Sequence, residues 1–270
     1  MSYHFAKPSW PLSLFVKQYW AIDNCLHKDE VHVQRIVPSG LTELTFFLCN
    51  KPTSLDSQKS ITENTILSGH LRSYYDIAIS GKLSMFSVSF LPFGVRMLLK
   101  IPADEFYNQN VPFRFVIPDL VDRLEDTLFE AQSFEQKVAL TEEFLSRLLR
   151  SDTDTYELKR VSNSVQIIKG AKGAIQVNAL SDAACLSRKQ YERVFSSYIG
   201  TSPKQFLKTV RFQASLHLKR RNPSMSLTDL AYSCGYYDQA HMINDYKALS
   251  GITPGEYFRD CEPYSDFFES

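Results

Sequence analysis

The sequence predicts an α+β protein: a β-rich, sandwich- or barrel-like N-terminal domain with helices, followed by an all-α domain in which a long helix joins two helix-turn-helix motifs. Three observations carry that prediction. Residues 1–118 hold short runs of β-formers separated by Pro, Gly, Ser and Asn turn signals. Residues 180–206 and 230–257 repeat one pattern, with Gly200 matching Gly251, Pro203 matching Pro254 and Phe195 matching Tyr246, all at an offset of 51. Between the copies, Phe206, Val210, Ala214 and Leu218 recur at helical spacing.

In chain order, residues 15–20 (FVKQYW) read as a strand. Pro38-Ser-Gly40 is a turn, and Leu44–Leu48 is a buried strand after it. Residues 50–60 read as an exposed loop. Ile77–Ile79, Ser80-Gly81 and Met85–Phe90 read as a hairpin with period-2 alternation. A short helix starts near Val95. Leu120, Leu124 and Leu128 mark one helix, and Val138, Phe144, Leu145, Leu148 and Leu149 a second; their stripe packs on the β domain or forms a dimer seam. Trp10, Trp20 and the phenylalanines read as core. The division expected is 1–150 for a sensor or dimerisation domain, 151–158 for a polar linker, 159–262 for the helical domain and 263–270 for a tail. At 270 residues, each domain is long enough to bury its own core.

In the helical part, a basic helix over 158–169 ends at Gly170 and Gly173. Residues 177–184 form the first helix of the first copy. Ser187 and Gln190 are placed for a capping box at the start of the second. That helix buries Tyr191, Val194, Phe195 and Tyr198, and Gly200 closes it. Ser202 and Pro203 start the connector, which runs to about Arg220 with one buried side. At 1.5 Å per residue it spans about 25 Å, against the roughly 34 Å that separates successive major grooves on one face of B-DNA. Ser226 caps the next helix, Gly235 permits the turn, and Asp238 caps the last reading helix. The inner face of that helix is Met242, Ile243, Tyr246 and Leu249.

The net charge of zero hides a split. Residues 1–158 carry a balance of −5 and 159–270 a balance of +5; within 159–221, 13 basic residues face only Asp182 and Glu192. On a helix-turn-helix pattern, that excess points to double-stranded DNA. The five cysteines are scattered without a CxxC pair and read as reduced, mostly buried thiols. No apolar run is long enough to cross a bilayer and no signal peptide is visible, so a cytoplasmic protein without membrane contact is expected. His4, His27, His32 and His70 are dispersed, and no Walker-type or GxGxxG loop occurs. No metal site, cofactor or catalytic constellation is therefore expected.

The segments SRKQYERVFSSYIGTSPKQF and GYYDQAHMINDYKALSGITPGEY give residues 177–259 a specific resemblance to the DNA-binding region of AraC/XylS-type transcription regulators. Tyr19-Trp20, residues 35–43 (RIVPSGLTE), Ser68-Gly69 and Phe90–Gly94 make the N-terminal part similar to a sensor-like domain found ahead of such regions. The resemblance implies a transcription regulator, with activator as one sense of regulation and repressor as the other, that works with RNA polymerase; a small-molecule effector and a homodimer are the further partners considered. It also implies that base edges are read by Lys189, Glu192 and Arg193, with Arg188 near the DNA backbone, and by Gln239, Ala240, His241 and Asn244. The side-chain chemistry agrees for most of these: Arg suits guanine, Gln and Asn suit adenine, and Glu can accept from cytosine. Ala240 offers only an apolar contact, and Asn244 is shorter than the Arg expected there. Glu192 could instead pair along its own helix, and His241 could serve as a phosphate donor or a filler at the cap. Arg35 and Glu43 stand near the Pro-Ser-Gly turn, as an ion pair or as the lining of an effector pocket. The alternative to a sensor is an N-terminal domain that is an enzyme or a pure dimerisation module.

Overall fold

The computed structural model describes residues 2–25, 30–149, 156–261 and 267–268, and only the backbone of residues 25, 58 and 119–122. Most of the expected linker and tail, the Cys25 and Leu120 side chains, and His27 lie outside the described residues.

Among the described residues, nine strands build the N-terminal half: β1 (Ser2–Ala6), β2 (Val16–Cys25), β3 (Val31–Ile36), β4 (Thr42–Phe47), β5 (Thr53–Ser54), β6 (Thr65–Ser68), β7 (Tyr75–Ser80), β8 (Lys82–Phe90) and β9 (Asn110–Pro112). One antiparallel sheet has the order β1-β2-β8-β4-β6-β9; β3, β7 and β5 form a second, smaller sheet. Alternation along the strands divides the apolar residues between two faces. Leu44, Phe46, Phe86 and Val88 face the helices, while Ile22, Phe47, Ile66 and Leu83 meet Ile79 of the small sheet.

Three expectations for this half, and one for the cysteines of both halves, are corrected. Residues 77–90 are not a hairpin: β7 pairs with β3 and β5, whereas β8 lies between β2 and β4. The last five residues of β8 are all buried, and only the centre of the large sheet covers both faces of such a strand. The stretch 50–60 is no simple loop, since it supplies β5 and a short helical turn that buries Lys59 against Asp56 at 3.0 Å. Trp10 is 80% exposed, and Phe5, Phe115 and Phe129 are exposed too; around Trp10, the core positions fall to Leu12 and Phe15. Cys49 and Cys185 are exposed, and only Cys234 of the described cysteines is fully buried.

Among the described residues, ten α-helices follow or flank the sheets: α1 (Gly94–Leu99), α2 (Pro118–Glu130), α3 (Phe134–Leu148), α4 (Tyr156–Gly170), α5 (Val177–Ala183), α6 (Arg188–Ile199), α7 (Pro203–Arg221), α8 (Leu227–Ser233), α9 (Gln239–Ser250) and α10 (Pro254–Asp260). Leu124, Leu128, Phe144 and Leu145 of α2 and α3 join the core of the large sheet, so that stripe is packing rather than a free seam. The expected separate cores are not found. One buried cluster runs from Phe15, Leu44 and Phe93 through Val161 and Ile168 of α4 to Phe195 and Phe206. The second helix-turn-helix has its own cluster around Phe212, Leu230, Met242 and Tyr246.

The connector α7 also departs from the one-sided helix expected. Phe206, Leu207, Thr209, Val210 and every residue from Phe212 to Leu216 are buried. It lies between both helix-turn-helix units and the N-terminal half, where Gln213 Nε2 donates to the Pro38 carbonyl at 2.7 Å. Leu218, by contrast, is only partly covered.

Candidate nucleic-acid interface

The first reading helix, α6, starts as the sequence dictates. Ser187 and Gln190 complete the capping box, and the Gln190 amide donates to Ser187 Oγ at 3.4 Å. Tyr191, Val194, Phe195, Tyr198 and Ile199 are buried, which turns the opposite face to solvent. On that face Arg188 pairs with Glu192 at 3.0 Å and also reaches Asn178 at 3.3 Å. The pairing along the helix considered for Glu192 is thus formed. Lys189 and Arg193 are exposed and make no side-chain hydrogen bond among the described residues.

The second reading helix, α9, begins at Asp238, whose Oδ1 accepts the His241 amide at 2.7 Å. Ser226 caps α8 in the same manner. Gln239 accepts from Thr228 Oγ1 at 3.1 Å, which fixes it across the turn. His241 is half-buried: its Nδ1 accepts from the Tyr237 amide at 3.3 Å, and its ring meets Tyr236 edge-on. Ala240, Asn244 and Lys247 are exposed.

Two features here were missed from the sequence. Asp245 lies on the inner face, which was read as apolar. Its side chain is 9% exposed, held by Lys208 at 3.3 Å and Arg211 at 3.4 Å from α7. Two cations within reach offset the cost of burying that carboxylate. The signal was available, because Asp245 stands three residues after Met242 and next to Tyr246. The second feature is a change of register. Buried Leu180 and Leu230 match at an offset of 50, but the caps Ser187 and Asp238 match at 51. The second turn therefore holds one more residue, and Tyr237 in it is 85% exposed beside the start of α9.

Both reading helices end on the N-terminal half. Gly200 and Gly251 close them with φ of 90° and 80°. A Cβ on Gly200 would sit 2.8 Å from the Ala103 carbonyl oxygen, and one on Gly251 would sit 2.5 Å from the Tyr74 ring. Arg35 does not pair with Glu43. Its Nε and Nη2 grip Asp76 at 2.8 and 2.9 Å, and its Nη1 donates to the Ser250 carbonyl at 3.0 Å. Hydrogen bonding to Arg35 holds the Asp76 carboxyl below the usual carboxylate range and raises the Arg35 guanidinium further. The cause of the departure is register: Arg35 and Asp76 are direct partners in the small sheet, whereas Glu43 belongs to the large one. Glu43 instead accepts from Ser89 Oγ at 2.8 Å and from Trp20 Nε1 at 3.4 Å.

A cavity of about 380 Å³ lies between Val16, Leu91, Phe93, Val165 and Phe267, and a smaller one of about 250 Å³ between β1 and α3. Neither is lined by Arg35 or Glu43. Among the described residues, no group of three or more His, Cys, Asp or Glu could hold a metal ion, and no helix is long and apolar enough to cross a membrane.

Residues 180–260 match a helix-turn-helix domain model, and residues 4–112 match a domain of unknown function, DUF6597. An uncharacterized HTH-type transcriptional regulator of Haemophilus influenzae is 28% identical over 100 residues, 37% of this chain and 33% of that protein. The HTH-type transcriptional regulator MtrA of Neisseria gonorrhoeae is 28% identical over 103 residues, 38% and 34% of the two chains. The chain thus spans about a third of the length of the curated relatives it matches. Among solved structures, ToxT from Vibrio cholerae O395 aligns over 89% of this chain and 97% of its own, with 13% identity and a TM-score of 0.48.

Proposed function

We propose, from the premise that residues 180–260 are a helix-turn-helix domain of the AraC type, that this protein is a sequence-specific regulator of transcription. It places α6 and α9 in successive major grooves of double-stranded DNA. The observation that carries this reading is the outer face of α6, where exposed Lys189 and Arg193 project from a capped helix within the basic stretch 159–221.

In this reading Lys189 and Arg193 read bases, while Arg188 holds a phosphate. Glu192 orients Arg188 through their ion pair. In the second unit, Gln239, Ala240 and Asn244 face the groove; His241, tied to the Tyr237 amide through Nδ1 and with Nε2 4.0 Å from Asp245, shapes the helix start. The proposed division keeps 1–150 as the sensor or dimerisation part, 151–158 as linker, 159–262 as reader and 263–270 as tail. A small-molecule effector bound by the N-terminal half would reach the reader through Arg35, because that side chain touches both halves. A second copy and RNA polymerase are the protein partners the reading adds, in the cytoplasm. The N-terminal half acts in it as a sensor, not an enzyme.

The test is a footprint on genomic fragments, repeated as salt rises. Contact with 6–10 phosphates lowers affinity by about 10³–10⁵ between 50 and 200 mM salt. Binding that ignores salt would remove the reading.

A further inference from the structure

We propose that the N-terminal half sets the separation between the two reading helices, with Arg35 and Tyr74 as positioning residues for α9 and the Ala103 carbonyl as the seat for α6. The inference rests on the reading of α6 and α9 as DNA readers.

The repeat supplies the first argument. Gly200 and Gly251 are equivalent positions, one at the end of each reading helix, and both lie on the N-terminal half. There is no room for a side chain at either place. The halves of α6 and α9 that carry the DNA-reading residues lie at the opposite ends, away from this seam. The N-terminal half therefore holds both readers by their far ends.

The second argument is the geometry at α9. The last carbonyls of a helix have no partner within it, and a cation there is favoured by the helix dipole. Arg35 meets the Ser250 carbonyl with Nη1 while Asp76 holds the other side of its fork. Its guanidinium also lies over the Tyr74 ring, 4.3 Å from the centroid, and that ring in turn abuts Gly251. A guanidinium fixed on two sides has little freedom left, which suits it to holding a helix end in place.

The third argument concerns the two seats themselves. The segment at 70–72 is bonded to Asn108: the Asn108 amide donates to the His70 carbonyl at 2.9 Å, and Asn108 Oδ1 accepts the Arg72 amide at 3.1 Å. Residues 103–107 are bound together by short turns, with the Tyr107 amide donating to Asp104 at 3.1 Å. The seat of α6 and the approach to the seat of α9 thus belong to one bonded unit. The connector α7 already holds α9 through Phe212, Ser215 and Tyr246, and the Arg35 contact adds a hold at the end of α9 from the opposite side. The N-terminal tie closes that side of the frame.

The experiment selects duplexes from a library in which two half-sites are separated by every spacing across two helical turns. The full chain is compared with Arg35→Gln, Tyr74→Ala and the milder Arg35→Lys, each checked for folding by circular dichroism. Affinity for a single half-site is measured in parallel. Wild type should prefer one spacing at least about tenfold over its neighbours, as a stiff link between two modules requires. The variants should flatten that preference while single-site affinity stays unchanged. Variants that retain the wild-type spacing profile overturn the proposal, as does a wild type with no spacing preference. A wild type that binds no duplex in a salt-dependent way removes the DNA reading as well, and the two failures are told apart by that arm.

Discussion

Arg193 and Asp245 stand on opposite faces of the readers and call for opposite measurements. Arg193 is exposed and bonded to nothing among the described residues, so its removal should leave folding intact. Arg193→Ala is expected to cost about 1–3 kcal/mol in specific binding, measured by titration against a labelled operator; equal affinity would remove it from the base-reading set. Asp245 is buried between two cations. Asp245→Ala leaves Lys208 and Arg211 without that carboxylate, and a loss of about 3–5 kcal/mol in unfolding free energy is expected. His70 gives a pH test. It is buried edge-on against Phe206 at the seam between the halves, and burial pushes its imidazole down to about 4 from 6.5. A His that folds neutral contributes stability above its unfolded value and loses it as pH falls. Unfolding free energy should therefore drop by about 1.4 kcal/mol per unit between about pH 6.5 and 4. His70→Phe should remove that part of the slope, and an unchanged slope in denaturant titrations would contradict the assignment.

At the scale of elements, the caps and turns were legible because each rests on local chemistry. Ser187, Ser202, Ser226 and Asp238 accept amides where a short polar side chain before an apolar period requires it. The partners of Arg35 and β8 were not legible, because strand pairing joins residues far apart in sequence. Nothing within residues 75–90 says that Ser80 and Lys82 belong to different sheets. The extra residue in the second turn was hidden for another reason: the offset of 51 set by the glycines and prolines hides the offset of 50 set by Leu180 and Leu230. Tyr237 was passed over for that reason. Tyr237→Ala is expected to weaken operator binding without changing thermal stability, since its side chain is almost wholly exposed; a fall in Tm would place it in the fold instead. Gly200→Ala should do the reverse. Its φ of 90° and the nearby Ala103 oxygen make any side chain costly, by about 1–2 kcal/mol for the backbone alone, and chemical denaturation would show it.

In the whole molecule, charge is divided as the sequence indicated, but the core is not. The basic residues gather in the reader, yet its first unit shares one buried cluster with the strands. The readers therefore move only if that cluster or the Arg35 tie moves with them, which links any change in the N-terminal half to DNA binding. Composition could not reveal this, since residues such as Phe206 and Ile168 look alike whether they bury against their own domain or a neighbouring one. The central claim is that both helices read one duplex at once. It is tested most directly by comparing affinities, at fixed salt, for a duplex with both half-sites about one helical turn apart and for the same duplex with the α9 half-site scrambled. Simultaneous reading requires affinity for the scrambled duplex to fall at least about tenfold. Equal affinity for the two duplexes would mean that α6 alone engages DNA, and would contradict the two-helix mechanism.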